Sequence, residues 1–418
     1  MIKRKLFPEL VAHLPQKEIS LIIGPRQAGK TTLMELLKAH LDNRGERTLF
    51  LNLDIEWDKP HFESQAGLLN KIELEMGRKR GFVFVDEIQR KDDAGLFLKG
   101  LFDLHLPYKF IVSGSGSLEL KQKIQESLIG RKRLFELSTV TFEEFVNHRT
   151  DYRYEANLAD FLAIEGGRVP QLLSEYMQFG GYPRIIMAAE QREKLRLIDE
   201  IYRSILEKDI AYLLKLDKPD VFSALIKILA GQVGQLMNYS ELASTLNVSF
   251  TTVKKYLWYA QKIFLVELIT PYARNVRKEI SKSPVPYFGD LGFRNFSLGL
   301  FGHLESPLEK GFVFENFVFL LLREKLGFKA AKLHYWRTKD KAEVDFVIED
   351  GKSLIPVEVK YKHLKQDKVP KSLRSFIDMY KPEHAFIINL DLRKTLKISK
   401  TTLFFLPFQD LLHQTAVL

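Results

Sequence analysis

Cysteine is absent from the 418 residues. That excludes disulfides, thiolate metal sites and a cysteine nucleophile, and it fits a reducing cytoplasm, the expected location. Long apolar runs are missing too. The longest, Phe317–Leu322, falls far short of the ~20 residues a membrane span needs, so no membrane association is expected. The start Met1-Ile2-Lys3-Arg4-Lys5 is basic like a signal peptide, but Pro8, Glu9 and His13 stand where an apolar segment would follow, and no targeting segment is read there. The ten histidines include no H-x-x-x-H pair, which removes the commonest helical metal motif. No internal repeat or low-complexity block is visible. What is present is an excess of positive charge, 63 Lys and Arg against 53 Asp and Glu. Such a balance suits an anionic partner such as DNA, or a basic surface that is only solvated.

The length allows roughly two to four domains at about 100–200 residues each. Residues 1–140 alternate apolar strands with helical segments, the pattern of an α/β domain with a parallel sheet. Strands are expected at Ile19–Ile23, Thr48–Leu53, Phe82–Val85, Phe110–Ser113 and Leu134–Leu137. Residues 141–232 read as mostly helical, broken by a turn at Phe179-Gly180-Gly181-Tyr182-Pro183. Residues 233–307 combine short helices with a strand pair, and residues 308–418 open with an apolar helix and return to strands.

Gly24-Pro25-Arg26-Gln27-Ala28-Gly29-Lys30-Thr31 fits G-x-x-x-x-G-K-[ST] between an apolar strand and the helical run Thr32–His40, the context a phosphate-binding loop needs. Its backbone N–H groups would cradle the phosphates of ATP at a helix N-terminus. Lys30 would reach the β- and γ-phosphates, Thr31 would help hold Mg²⁺, and Thr32 completes the nucleotide-binding stretch. The strand Phe82-Val83-Phe84-Val85 ends in Asp86-Glu87. Asp86 stands where a carboxylate would anchor the Mg²⁺ shell, and Glu87 is the candidate base for the attacking water. The next strand ends in Ser113-Gly114-Ser115. Ser113 or Ser115 could sense the γ-phosphate, or the segment is a plain Ser/Gly turn.

These stretches resemble the AAA+-type ATPases of bacteria and archaea that carry a C-terminal domain of unknown function. Further matching segments are Gly130-Arg131, Gly180-Gly181-Tyr182-Pro183, Glu207-Lys208-Asp209-Ile210, Phe288-Gly289-Asp290-Leu291-Gly292 and Val357-Glu358-Val359-Lys360. The resemblance implies an arginine that completes a neighbouring subunit's site, hence a homo-oligomer, with Arg131 and Arg133 as candidates. A surface or ion-paired arginine is the alternative.

Two constellations lie downstream. Tyr239–Val248 reads as a short helix and turn, Ser249 as the N-cap of a second helix, Phe250–Phe264, with Val253, Leu257, Ala260 and Phe264 on its apolar stripe. Strands at Leu265–Ile269 and Val285–Phe288 enclose a basic connection. The layout resembles a winged helix, with Lys254, Lys255, Arg277 and Lys278 as expected DNA phosphate contacts; packing or protein contact is the other reading. Further on, Phe312–Leu322 is apolar nearly all round, which makes Glu315 an unexpected charge. Strands Glu343–Ile348 and Ile355–Lys360 carry Asp345, Glu358 and Lys360. This D…E-x-K arrangement resembles the PD-(D/E)xK nucleases, although Ala342, Glu343 and Val344 rather than proline precede Asp345. Asp345, Glu358 and Glu315 would ligate Mg²⁺, and Lys360 would orient water. An inactivated nuclease fold kept for binding is the alternative.

The expected architecture is therefore α/β: a P-loop AAA+-type ATPase core, a helical region, a winged helix and a C-terminal restriction-endonuclease-like domain. The expected function is a DNA-associated ATPase. A signalling or scaffold ATPase with a protein partner is the competing reading, and a metabolic kinase a weaker third.

Overall fold

The computed structural model describes residues 1–115, 128–206, 218–273, 283–327, 330–351 and 353–412. Arg277 and Lys278, and the Glu207–Ile210 stretch, lie outside them.

The N-terminal part opens with helix α1 (Leu6–His13) and then alternates β1 (Ile19–Gly24), α2 (Lys30–Asp42), β2 (Thr48–Asn52), α3 (Gln65–Met76), β3 (Gly81–Asp86), α4 (Ala94–Asp103), β4 (Tyr108–Ser115) and β5 (Lys132–Glu136). The five strands form one parallel sheet in the order β2-β3-β4-β1-β5. Every residue of β1 and β3 is buried, as befits a parallel sheet covered on both faces. Alternation assigns the faces. Ile22, Phe82, Phe84 and Ile111 pack with α1 and α2, while Leu21, Val83, Val85 and Val112 pack with α3 and α4. Truncating a side chain such as Phe84 to alanine would cost about 3–5 kcal/mol. The strand order has a functional consequence. It inserts β4 between β1 and β3, so the C-terminal ends of these three strands adjoin one crevice, where open parallel sheets bind ligands.

The next segment is helical, as its sequence indicates: α5 (Phe142–Arg149), α6 (Leu158–Ile164), α7 (Val169–Phe179), α8 (Pro183–Met187) and α9 (Gln191–Ser204). Thr141 and Glu144 form a reciprocal capping box at the start of α5. The Gly180-Gly181 turn between α7 and α8 is forced by packing. A Cβ on Gly180 would run into the Asp290 carboxylate, and one on Gly181 into the carbonyl of Val140.

Then follow α10 (Pro219–Gly231), α11 (Tyr239–Thr245) and α12 (Phe250–Lys262), with β6 (Val266–Ile269) and β7 (Val285–Phe288) pairing antiparallel. Asn238 and Ser249 cap α11 and α12 through their side chains. After α13 (Leu291–Ser297) comes the long α14 (Pro307–Leu326). A six-stranded mixed sheet completes the chain, ordered β12-β13-β11-β10-β9-β8. Its strands are β8 (Lys332–Arg337), β9 (Glu343–Asp350), β10 (Ser353–Val359), β11 (His384–Asn389), β12 (Lys394–Ile398) and β13 (Thr401–Pro407), with α15 (Lys371–Tyr380) preceding β11. The C-terminal sheet does not stand apart. Tyr272 N–H donates to the Tyr335 carbonyl at 2.6 Å, so the chain beyond β6 joins β8. The Asn316 side chain pairs with both backbone groups of Phe288 at 2.8 Å. No described helix is long and apolar enough to cross a membrane.

Candidate functional site

The loop between β1 and α2 builds the first site. Gly24 is there because a side chain would collide with the Leu137 carbonyl. Gln27 and Gly29 both have positive φ, 60° and 95°, a conformation only glycine adopts without strain. They turn the chain around Ala28, which is fully buried. The helix begins at Lys30, two residues before the expected Thr32, so Gly29 is its N-cap. The Lys30 ammonium is buried and donates to the carbonyls of Gly24 at 3.1 Å and Pro25 at 2.8 Å.

Strand order brings the other expected residues to this loop. The Thr31 hydroxyl donates to Asp86 Oδ2 at 2.7 Å. Ser113, next door on β4, donates to Asp86 Oδ1. Asp86 is completely buried at the end of β3. Glu87 follows it at φ 58°, in a left-handed turn that swings its side chain back toward the loop. Burial pushes the Glu87 carboxyl above its usual range; the Lys30 charge opposes this and Asp86 adds to it. Gln89 donates to Glu87 Oε2. Of Ser115 only its place at the end of β4 is described. A hydroxyl beside a carboxylate is the hard oxygen pair that suits Mg²⁺, and the turned-in loop with its lysine suits a triphosphate, so the residues present fit both groups.

A cavity of about 360 Å³ opens over the loop. Arg26, Thr32, Leu36 and Glu87 line it, with Met1 and Ile2 from the N-terminus and Pro183, Arg184 and Met187 from α8. Arg184 and Arg4 are the residues that sequence reasoning missed. Arg184 reaches Gln27 at 3.3 Å and Glu200 at 3.1 Å. Its one signal was its position directly after the Gly-Gly-Tyr-Pro turn. Arg4 donates to the Ala28 carbonyl at 2.8 Å; in the sequence it is one residue of a basic start.

Arg131 lies elsewhere. It precedes β5, and its carbonyl accepts from Ile19 N–H at the beginning of β1. At about 3.3 Å per residue, the length of β1 separates it from its own chain's phosphate loop, and its guanidinium is engaged with Asp103 at 2.7 Å. A finger role for Arg131 is thus one toward another subunit. Arg133 rests over the Phe135 ring.

The downstream residues fall in two places. Lys254 and Lys255 are exposed on α12; Lys254 lies 4.7 Å over the Phe250 ring and Lys255 5.7 Å over that of Tyr259. In the C-terminal sheet the β9–β10 register, continued by one residue, sets Asp345 opposite Glu358. Val357 and Val359 enter the core beneath α14, and Lys360 bonds Glu358 at 2.6 Å. Burial, then the charge of Asp345, pushes both Glu315 and Glu358 up to about 8. Burial also raises Asp345, against Lys360 and the Val359 N–H. Yet among the described residues no three acidic or imidazole groups stand close enough to hold one ion. Asp345 is near enough for its charge to act on both Glu315 and Glu358. Each acid takes an internal donor on one oxygen: Glu315 the Tyr287 hydroxyl at 2.6 Å, Asp345 the Val359 N–H at 2.7 Å, Glu358 the Lys360 ammonium, while the second Glu358 oxygen is buried without a partner.

Comparison with known proteins agrees with the N-terminal geometry. An AAA domain family model matches residues 16–146, the stretch that holds the parallel sheet and the phosphate loop. Two models of domains of unknown function, DUF8612 and DUF4143, match residues 170–304 and 310–410. The chain is similar to an uncharacterised protein of Mycobacterium tuberculosis, 29% identical over 397 residues, 92% of this chain and 81% of that protein. It is also similar to an uncharacterised protein of Methanocaldococcus jannaschii, 28% identical over 354 residues, 82% and 75% of the two chains. A looser structural likeness is to AMPPCP-bound DnaA from Aquifex aeolicus, with 16% identity, 62% of this chain and 86% of that one covered, and a TM-score of 0.28. A score that low assigns nothing to individual residues here.

Proposed function

We propose that the protein binds ATP at residues 24–32, hydrolyses it, and couples the nucleotide state to a DNA-facing C-terminal half. The observation that carries this reading is the grip of Thr31 and Ser113 on opposite oxygens of the buried Asp86, directly over the phosphate loop. On this reading Lys30 leaves the Gly24 and Pro25 carbonyls for the β- and γ-phosphates. Asp86 and Thr31 hold the metal shell, Ser113 keeps Asp86 oriented, and Glu87 accepts the proton of the attacking water. Mg²⁺, when bound, supplies neutralisation of charge on the transferring phosphoryl group. Arg184, on the cavity wall, can approach the same charge.

DNA contact is supported by the exposed lysines of α12 and by three helices followed by an antiparallel strand pair, the layout of a winged helix. The C-terminal sheet, with Asp345 facing Glu358 and Lys360, supports a nuclease-like fold. On this reading the fold serves as a binding module. A scaffold reading has its own observation: Phe250 is 45% exposed on α12 beside Lys254, and an exposed aromatic of this kind also suits a protein partner. Titrating DNA against ATP turnover separates the two. Turnover that rises with DNA and falls with salt supports the first reading; turnover indifferent to DNA supports the second.

A further inference from the structure

Arg4 belongs to none of the motifs above, yet it is among the most engaged side chains near the nucleotide site. Only 8% exposed, its guanidinium donates to Glu144 at 3.1 Å and to the carbonyls of Ala28 at 2.8 Å, Ser138 at 2.6 Å and Thr139 at 3.2 Å. Glu144 is itself fixed, accepting from Thr141 N–H at 2.9 Å and Lys5 N–H at 2.6 Å. The guanidinium is thus clamped from the capping box of α5 and presented to the phosphate loop.

What it does there follows from peptide geometry. The peptide bonds of the described residues are trans, and across a planar trans peptide the C=O and the following N–H point in opposite directions. With the Ala28 carbonyl drawn to Arg4, the N–H of Gly29 is turned away from it, into the loop. A lysine could keep the charge but could not reach a carboxylate and three carbonyls with one planar fork.

We propose that Arg4 is a positioning residue for the phosphate loop: it holds the Ala28 carbonyl back so that the Gly29 N–H faces an incoming triphosphate. The neighbouring Lys5 extends the same attachment, bonding Glu143 at 2.7 Å and Glu324 of α14 at 2.8 Å. Loop orientation is thereby tied to the helical region and to the C-terminal half. The inference rests on residues 24–32 being a triphosphate site.

The test titrates two ligands, tripolyphosphate and a fluorescent ATP analogue, into wild type, R4K, E144Q and K30A, with melting curves recorded without ligand. R4K is expected to weaken both ligands by the same factor, about tenfold, the scale of one charge-assisted hydrogen bond to the phosphates. Its ligand-free melting temperature should stay within about 5 °C of wild type. E144Q, which loosens the hold on Arg4, should shift both ligands in the same direction by less. Should R4K not fold, the equal loss in E144Q decides. R4K affinities within about twofold of wild type for both ligands overturn the assignment. So does a loss for the ATP analogue alone, since that places the effect at the base end of the cavity. If K30A loses binding while R4K and E144Q keep it, the site reading stands and Arg4 is removed from it. If wild type binds neither ligand, both fall.

Discussion

Thr31 and Asp86, 55 residues apart in the chain, meet at 2.7 Å. The meeting depends on strand order: β3, which ends in Asp86, lies two strands from β1, and β4 between them carries Ser113 to the other carboxylate oxygen. Ser113→Ala leaves one oxygen of a fully buried carboxylate without its donor, at a cost of about 1–3 kcal/mol. Urea melts should show that loss, and ATP turnover should fall about tenfold or more with affinity for nucleotide little changed. Wild-type turnover in Ser113→Ala would remove Ser113 from the site.

Lys30→Ala should abolish nucleotide binding outright. No other ammonium is presented by this loop, and the phosphates would meet only backbone donors. Calorimetric titration with ATP gives the answer directly; binding at wild-type strength would show that the cavity holds nucleotide by some other means.

Asp290 makes stability depend on pH in a predictable direction. Its carboxylate, 4% exposed, accepts from Gly181 N–H at 2.7 Å and Phe293 N–H at 2.9 Å, locking the turn before Arg184 to the start of α13. Burial pushes it up to about 6, against the donors of Gly181, Phe293, Thr139 and Gly292. The folded state thus holds this proton more tightly than the unfolded chain, whose aspartates titrate near 3.9. Its contribution is fully present below about pH 4 and is lost as pH rises through about 6. Between those limits wild type should lose on the order of 2–3 kcal/mol relative to Asp290→Asn in urea melts. Parallel stability curves for the two proteins would contradict this.

How much of this was legible in the sequence depends on the reach of each contact. The phosphate loop, the Asp86-Glu87 strand end and the Ser249 cap are local patterns, and each lies where its spacing indicates. The strands expected at Glu343–Ile348 and Ile355–Lys360 are β9 and β10, which run Glu343–Asp350 and Ser353–Val359, so Lys360 follows the end of β10. Arg4 and Arg184 were not readable, because their partners lie across the fold: Arg4 meets Glu144, and Arg184 meets Gln27, far away in sequence. The engagement of Glu315 by Tyr287 likewise depends on β7 packing against α14, which no local window shows. Gly180 and Gly181 read as turn residues but are needed for close approach to the Asp290 carboxylate and the Val140 carbonyl, and Gly292, at the start of α13, for that to the Phe179 carbonyl.

On α12, replacing Lys254 and Lys255 with alanine should weaken DNA binding for all sequences alike. The slope of log K against log salt should flatten by up to about 0.9 per lost phosphate contact. Fluorescence anisotropy at several salt concentrations measures both quantities. An unchanged slope would point the helix toward a protein partner instead.

The most direct measurement is steady-state ATP turnover by wild type and Glu87→Gln, each with and without duplex DNA at low and high salt. The account predicts turnover by wild type that DNA raises at low salt and much less at high salt, with Glu87→Gln binding ATP but failing to hydrolyse it. Equal turnover by the two proteins, or turnover that DNA leaves unchanged at both salt concentrations, would contradict it.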